Sequence, residues 1–149
     1  MIIGYFDESG TSNPTVGVAG YFASVTQWDK FNAEWRKLLS QFGLSEFHRT
    51  DIENRHRFVS GWTTEDRNRV VIQAHKIIKK FTYIGVGNAV VKADFEEVFP
   101  PILKKFYGGP YGYYAFLCVA RARNWHEKIK SQDAIDWVFE AGAKGARPV

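Results

Sequence analysis

The sequence predicts a single α/β domain with strands at both ends of the chain and helices between them. Three observations lead to this prediction: an apolar run rich in β-branched and aromatic residues at the start, a similar run near the end, and amphipathic segments at helical spacing between them. At 149 residues the chain is long enough for one hydrophobic core and short for two. We therefore treat residues 1–149 as one domain.

Four segments are predicted to be strands. The first is "MIIGYFD" (1–7), which is followed by the turn-forming cluster "ESGTSNP". The second, "TVGVAGYFAS" (15–24), completes a hairpin, and "TYIGVGNAVV" (82–91) is the third. The last, "AIDWVFE" (134–140), ends in Glu140 and is followed at once by Ala-Gly.

The intervening segments have the spacing of helices. Residues 28–43 and 64–81 each place apolar residues on one face, and Thr63 or Thr64 is suited to cap the second of these helices. Residues 92–110 are predicted to form short helical pieces, with Asp94 and Glu97 as a cap pair and a break at Pro100-Pro101. A long helix is expected from Tyr111 to Ile129, with Ile129 facing inward, whereas residues 44–62 fit neither period and predict a loop with one short helical turn.

Composition limits the class of protein. The chain is 45% hydrophobic and 24% charged, which is typical of a soluble globular domain, and its net charge of +4 suits an anionic partner such as nucleic acid. Cys118 is its only cysteine, so internal disulfides and thiolate zinc clusters are excluded, and within the mainly apolar residues 113–122 it is predicted to be a small core residue. No signal peptide or membrane-spanning run is apparent, and a cytoplasmic protein is the expectation.

Carboxylates at the ends of two predicted strands suggest a metal site. Asp7 ends the first strand, on the side shared by Ile3 and Tyr5, a face that is predicted to be covered, and Glu140 ends the last strand. If these strands are parallel neighbours, the two carboxylates face one another, and a hard cation such as Mg²⁺ or Mn²⁺ would relieve their repulsion. Further ligands are available in "SEFHRTDIE", which contains the residues Glu46, His48, Asp51 and Glu53.

Each of these residues also has a structural explanation. Asp7 and Glu8 before Ser-Gly are typical of a turn after a strand, and Glu140 is also suited to a solvated strand end. His48 lies in a polar stretch in which surface histidines are common. From the residues alone, both explanations stay open.

A family resemblance favours the metal site. The stretches "GYFDESGT", "VGVAGYFAS", "SEFHRTDI" and "IDWVFEAG" together resemble bacterial and phage proteins grouped as domain-of-unknown-function family 3800, which look like members of the ribonuclease H-like superfamily. The resemblance implies a ribonuclease H-like mixed β-sheet flanked by α-helices, with the first strand central. It implies nuclease activity through Asp7 and Glu140 as metal ligands, with Glu46, His48 or Asp51 completing the site and Glu8 belonging to the first motif.

The sequence departs from this family at its C-terminus. A ribonuclease H-like fold continues after its fourth strand with a helix, a fifth strand and a helix that carries another carboxylate, whereas this sequence ends at Val149. We therefore expect a domain that lacks its C-terminal part. A homodimer formed through an exposed sheet edge, or in place of the missing part, is the corresponding expectation for partners.

Three functions follow from these patterns. The first is a divalent-metal-dependent nuclease that cleaves DNA or RNA, with candidate catalytic residues Asp7, Glu8, Glu46, His48, Asp51 and Glu140, of which Asp7, Glu140, Glu46 and Asp51 are the candidate metal ligands. The second is an inactive remnant that binds nucleic acid or a protein. Its phosphate contacts would come from the basic residues Arg49, Arg55, Arg57, Arg67 and Arg69. The third is a dimerisation module without a site.

Overall fold

The strands and helices follow the predicted order. The computed structural model describes residues 1–9, 14–54 and 59–139. The strands are β1 (Ile2–Ser9), β2 (Thr15–Ser24), β3 (Ile84–Val91) and β4 (Ile135–Phe139). The helices are α1 (Val25–Gln41), α2 (Arg49–Glu53), α3 (Thr64–Phe81), α4 (Lys92–Val98), α5 (Pro101–Tyr107) and α6 (Pro110–Lys128).

The described strands form one mixed sheet. Its order is β3-β2-β1-β4, with β1 antiparallel to β2, β2 antiparallel to β3, and β1 parallel to β4. β1 and β2 are close in the sequence, and β2 is linked to β3 by the segment that contains α1, α2 and α3. The parallel pair of β1 and β4 requires a long crossover connection, which ends with α6. The predicted α/β class is confirmed, and β1 lies in the interior of the sheet.

Side-chain alternation in β1 gives the sheet a buried and an exposed face. Ile2, Gly4 and Phe6 are buried, whereas Tyr5 and Asp7 are exposed. The buried side packs with β2 and α6 in a core made of Ile2, Phe6, Val18, Phe22, Cys118 and Ala122. Aromatic rings dominate this core, since the Phe6 ring stacks on Phe139 at 4.6 Å and meets Phe22 edge-on at 5.3 Å between centroids.

The chain falls into two compact units. One comprises Met1–Ser24 and Ile84–Val149, and contains the sheet with α4, α5 and α6. The other is Val25–Tyr83, where α1, α2 and α3 bury a separate core of Leu38, Ile52, Val70 and Ala74. In the second unit, α3 begins at a capping box: Thr63 Oγ1 accepts a hydrogen bond from the Asp66 backbone N–H at 3.1 Å, and the Asp66 carboxylate accepts one from the Thr63 N–H at 3.0 Å.

Several predicted boundaries were wrong. β1 continues through Glu8 to Ser9, because these residues pair with Val18 and Gly17 and the hairpin ladder extends past Asp7. The first helix begins at Val25 and not at the predicted residue Trp28. Its first turn is half-exposed, so the apolar spacing typical of a helix becomes visible in the sequence only from Trp28. α4 begins at Lys92 with Val91 at its cap position, so Asp94 lies in its first turn and does not cap it.

One predicted core residue is exposed. Ile129 lies just after the last turn of α6 and half of its surface is accessible, because the helix ends at Lys128 and Lys130 adopts a left-handed backbone. The break predicted at Pro100-Pro101 separates α4 from α5, as expected for a residue that cannot donate a helical hydrogen bond.

Candidate functional site

The strands that carry the two predicted metal ligands are neighbours. β1 and β4 run parallel, and their last described pair is Phe6 with Phe139. Asp7 is the residue after Phe6, and Glu140 is the residue after Phe139 in the sequence. The condition set by the sequence, that these strands be parallel and adjacent, is therefore met, whereas Glu140 itself lies outside the described residues.

Asp7 lies on the exposed face of the sheet. It pairs with Ala19 on β2, and Ala19 pairs with Gly87 on β3, so on these two strands its row carries a single methyl group. The face on which Asp7 lies was predicted to be covered, and this was wrong, because Tyr5 and Asp7 alternate with the buried Gly4 and Phe6.

A shallow trough of about 360 Å³ lies on β2 and β3 at Ala19, the cross-strand partner of Asp7. Its lining is dominated by small residues of β2 and β3: Gly17, Ala19, Gly87 and Ala89, with Ser9 at the end of β1. The narrow side chains leave room for a ligand to approach the sheet backbone there.

Glu8 does not share the side of Asp7. It lies on the same face as Phe6, is half-buried, and pairs with Val18. Its Oε2 atom is buried and has no hydrogen-bond partner among the described residues. A buried carboxylate oxygen without a partner is costly, so the Glu8 carboxylate is a second group on β1 that a water or a cation would stabilise. The two adjacent acids therefore face different surroundings.

Sequence reasoning missed two tyrosines beside Asp7. Tyr5 and Tyr21 are cross-strand partners on the face of Asp7, and they are 46% and 41% exposed. The ring of Tyr21 lies over Gly85, where a Cβ atom would come within 2.7 Å of the Tyr21 Cε1 atom. The signal was the i, i+2 spacing of Tyr5 and Asp7, which already assigned them to one side of the strand.

Three other predicted site residues come together in the second unit. Glu46, His48 and Asp51 line one pocket of about 190 Å³ with the buried side chains of Ile52 and Val59 among its walls. His48 Nδ1 lies 3.9 Å from Asp51 Oδ2, and both side chains are well exposed. The acid-and-histidine motif therefore lines one small pocket, as a cluster of ligands or of proton-transfer groups requires.

The described residues do not by themselves make up a metal site. Among residues 1–9, 14–54 and 59–139, no group of three His, Cys, Asp or Glu side chains has the arrangement that holds a metal ion. Asp7 lies in the sheet unit, and the pocket of Glu46, His48 and Asp51 lies in the helical unit. The predicted ligand role of these three residues stays a prediction.

Three of the arginines proposed to bind phosphate are engaged locally. Arg49 pairs with Glu53 at 2.6 Å, and Arg69 pairs with Glu65 at 3.4 Å. Arg67 donates to the Thr64 hydroxyl at 3.0 Å and to the Thr63 carbonyl. Arg55 and Arg57 lie outside the described residues.

Cys118 is a core residue, as predicted. Its side chain is fully buried, its Sγ lies 3.4 Å from the Val18 carbonyl oxygen, and it accepts a hydrogen bond from Asn88 Nδ2 at 3.2 Å. Burial raises the pKa of the Cys118 thiol above its usual range and outweighs the Asn88 contact. A thiol held protonated in the core is not a nucleophile.

Comparison with protein families, with curated proteins and with solved structures gave no match. Of the helices that the described ranges contain, none combines the length and the apolar character that crossing a bilayer requires.

Proposed function

We propose that this chain is a divalent-metal-dependent nuclease of ribonuclease H-like fold that cleaves phosphodiester bonds in DNA or RNA. The observation that carries the proposal is the parallel pairing of β1 with β4 in a register that ends at Phe6 and Phe139, each directly followed by an acid. The interior position of β1 in a mixed sheet agrees with what the family resemblance implies.

Asp7 and Glu140 are the proposed ligands of Mg²⁺ or Mn²⁺. Asp7 offers an exposed carboxylate on an open face, and carboxylate oxygens are the donors that these hard cations prefer. A cation bound there would supply an activated water and stabilise the leaving oxygen of the cleaved ester. The trough of small residues at Ala19 leaves space for the sugar-phosphate chain, and the exposed rings of Tyr5 and Tyr21 offer stacking surfaces for bases.

A cleavage assay tests this function. Labelled single-stranded DNA, duplex DNA, RNA and RNA–DNA hybrid are incubated with the protein and Mn²⁺ or Mg²⁺, and products are resolved by electrophoresis. We expect cleavage of at least one substrate that EDTA and Asp7→Asn each abolish. Asp136→Asn is the matched control, since Asp136 is an exposed acid on β4 and pairs with Ile3, away from Asp7.

The same assay separates the alternatives. Salt-sensitive binding without cleavage, unchanged in Asp7→Asn, is the result expected of an inactive nucleic-acid-binding remnant. Neither binding nor cleavage is the result expected of a module without a site, and either outcome would overturn the nuclease proposal.

A further inference from the structure

The large apolar side chains with the highest exposed fractions lie on or next to α5. Among the described residues, Phe106, Ile102 and Val98 are the most exposed large apolar side chains, at 79%, 77% and 74%. Two of them lie on α5, one helical turn apart and therefore on the same face. Single exposed apolar residues are ordinary, whereas a cluster on one helix face marks an interaction surface.

This cluster continues onto α6. The Phe106 ring lies 5.0 Å from that of Tyr107, and the Tyr107 ring lies 5.4 Å from that of Phe116, which is half-exposed. We call Ile102, Phe106 and Phe116 the α5 surface. The ring contacts make it continuous from one helix to the next.

Local contacts hold α5 in place, and burial does not. The helix has seven residues, all described, and none of them is buried. Lys104 Nζ donates to Glu96 Oε2 at 2.8 Å, and Gly108 ends the helix in a left-handed conformation. A helix of this length is marginal unless an apolar face is covered, so the α5 surface lacks the packing that would stabilise it.

We propose that the α5 surface is a dimer interface covered by the α5 surface of a second copy of this chain. Its three side chains leave an apolar area exposed, at 77% for Ile102, 79% for Phe106 and 50% for Phe116, and aromatic and apolar side chains of this kind form the core of interfaces between copies. A two-fold axis through α5 would bring Ile102 and Phe106 of both copies together and remove this area from water.

The charges around the surface fit a second copy. In an antiparallel α5 pair, the C-terminal end of one helix meets the N-terminal end of the other. Lys105 lies at the C-terminal end, whereas Glu97 precedes the N-terminal end by four residues, and both are exposed. Within the part of the chain that the structure describes, neither side chain has an ion-pair partner. The two-fold arrangement therefore brings opposite charges together at both ends of the interface.

Sedimentation velocity on the full chain tests this interface, independently of the proposed nuclease. At about 100 μM we expect the wild type to sediment as a dimer of twice 17.1 kDa, and Phe106→Glu to raise the dissociation constant at least about tenfold by burying a charge in the interface. Ile72→Glu is the matched control, because Ile72 is 52% exposed on α3, and it should remain dimeric. Circular dichroism checks that each variant is folded.

Charge reversal provides a second test that leaves the apolar side chains of the α5 surface unchanged. Glu97→Lys and Lys105→Glu should each raise the dissociation constant about two- to fivefold, and the double variant should restore it. Val138→Lys, which places a charge on β4 at the edge of the sheet that the described residues form, should leave the dimer intact. The proposal is overturned by a monomeric wild type, by a dimer that survives Phe106→Glu, by a dimer lost in Val138→Lys, or by failure of the double reversal to restore affinity.

Discussion

Gly20 shows how a single residue decides the packing of the central hairpin. A Cβ atom on Gly20 would lie 2.5 Å from Phe6 Cδ1 and 2.6 Å from the carbonyl oxygen of Tyr5. The second of these is a backbone atom of β1, so relief would require the hairpin itself to shift. Absence of a side chain at Gly20 therefore lets the Phe6 ring lie against the sheet.

Gly20→Ala should destabilise the protein by about 2 kcal/mol, because the added methyl overpacks the core against backbone that cannot move freely. Gly61→Ala is the control, since no atom lies within 4 Å of a Cβ built there, and it should change stability by less than about 0.5 kcal/mol. Urea unfolding followed by tryptophan fluorescence measures both. Equal stability of the two variants would show that the close approach at Gly20 has no energetic consequence.

At the same scale, the sequence placed Asp7 correctly in the first strand but grouped it with Glu8. The i, i+2 relation to Tyr5 is local and could be inferred from the alternation. The separation of Glu8 depends on how far the β1–β2 ladder continues, and that is decided by pairing with Gly17 and Val18 on the partner strand. A turn-forming composition after Asp7 could not reveal this pairing.

Among the elements, α3 has the best-defined start. Thr63 and Asp66 exchange side-chain and backbone hydrogen bonds, and the carboxylate also accepts from the Thr63 hydroxyl at 2.7 Å. These bonds satisfy N–H groups that have no partner within the helix.

Thr63→Ala should lower the free energy of unfolding by about 1 kcal/mol, because it removes the acceptor for the Asp66 N–H. The matched control is Asn68→Ala, an exposed position inside α3, where the better helix propensity of alanine should leave stability unchanged or raise it slightly. Chemical denaturation compares the two. A Thr63→Ala protein as stable as the wild type would contradict the capping role.

The capping box should also make stability depend on pH. Hydrogen bonds from the Thr63 hydroxyl and N–H lower the pKa of Asp66 in the folded state, so the unfolded chain binds the proton more readily. The stabilisation is therefore present above the ordinary carboxyl pKa and is lost as the pH falls through the lowered value. Asp66→Asn should reduce the loss of stability on acidification, measured by denaturation between neutral and acidic pH; an unchanged acid dependence would argue against this linkage.

The elements differ in how well the sequence predicts them. The predicted bounds of α3, residues 64–81, match the observed helix, because its apolar period and its cap are local signals. The cap of α4 was not predicted correctly, since Asp94 was expected to cap a helix that in fact begins at Lys92, whose N–H, at the end of β3, donates to the carbonyl of Pro14. The exposure of α5 could not be predicted, because it depends on which parts of the chain lie next to the helix in space. The apolar spacing within its seven residues does not contain that information.

For the whole molecule, the central question is the pairing of the first and last strands. β1 and β4 are separated by more than a hundred residues, so their adjacency was predicted only as a condition, and β4 pairs with β1 through a crossover that no local pattern specifies. The sheet order supports the site proposed from the strand ends. The division of the chain into two compact units was not apparent from its composition.

The most direct test is calorimetric titration of the chain with Mn²⁺ and Mg²⁺, alongside Asp7→Asn, Glu140→Gln and the control Asp136→Asn. We predict saturable binding in the wild type and in Asp136→Asn, weakened at least about tenfold in Asp7→Asn and in Glu140→Gln, because each removes a ligand from one shared ion. Binding that is as tight in Asp7→Asn as in the wild type, or a wild type that binds neither metal, would contradict the assignment of these strand ends as a catalytic metal site.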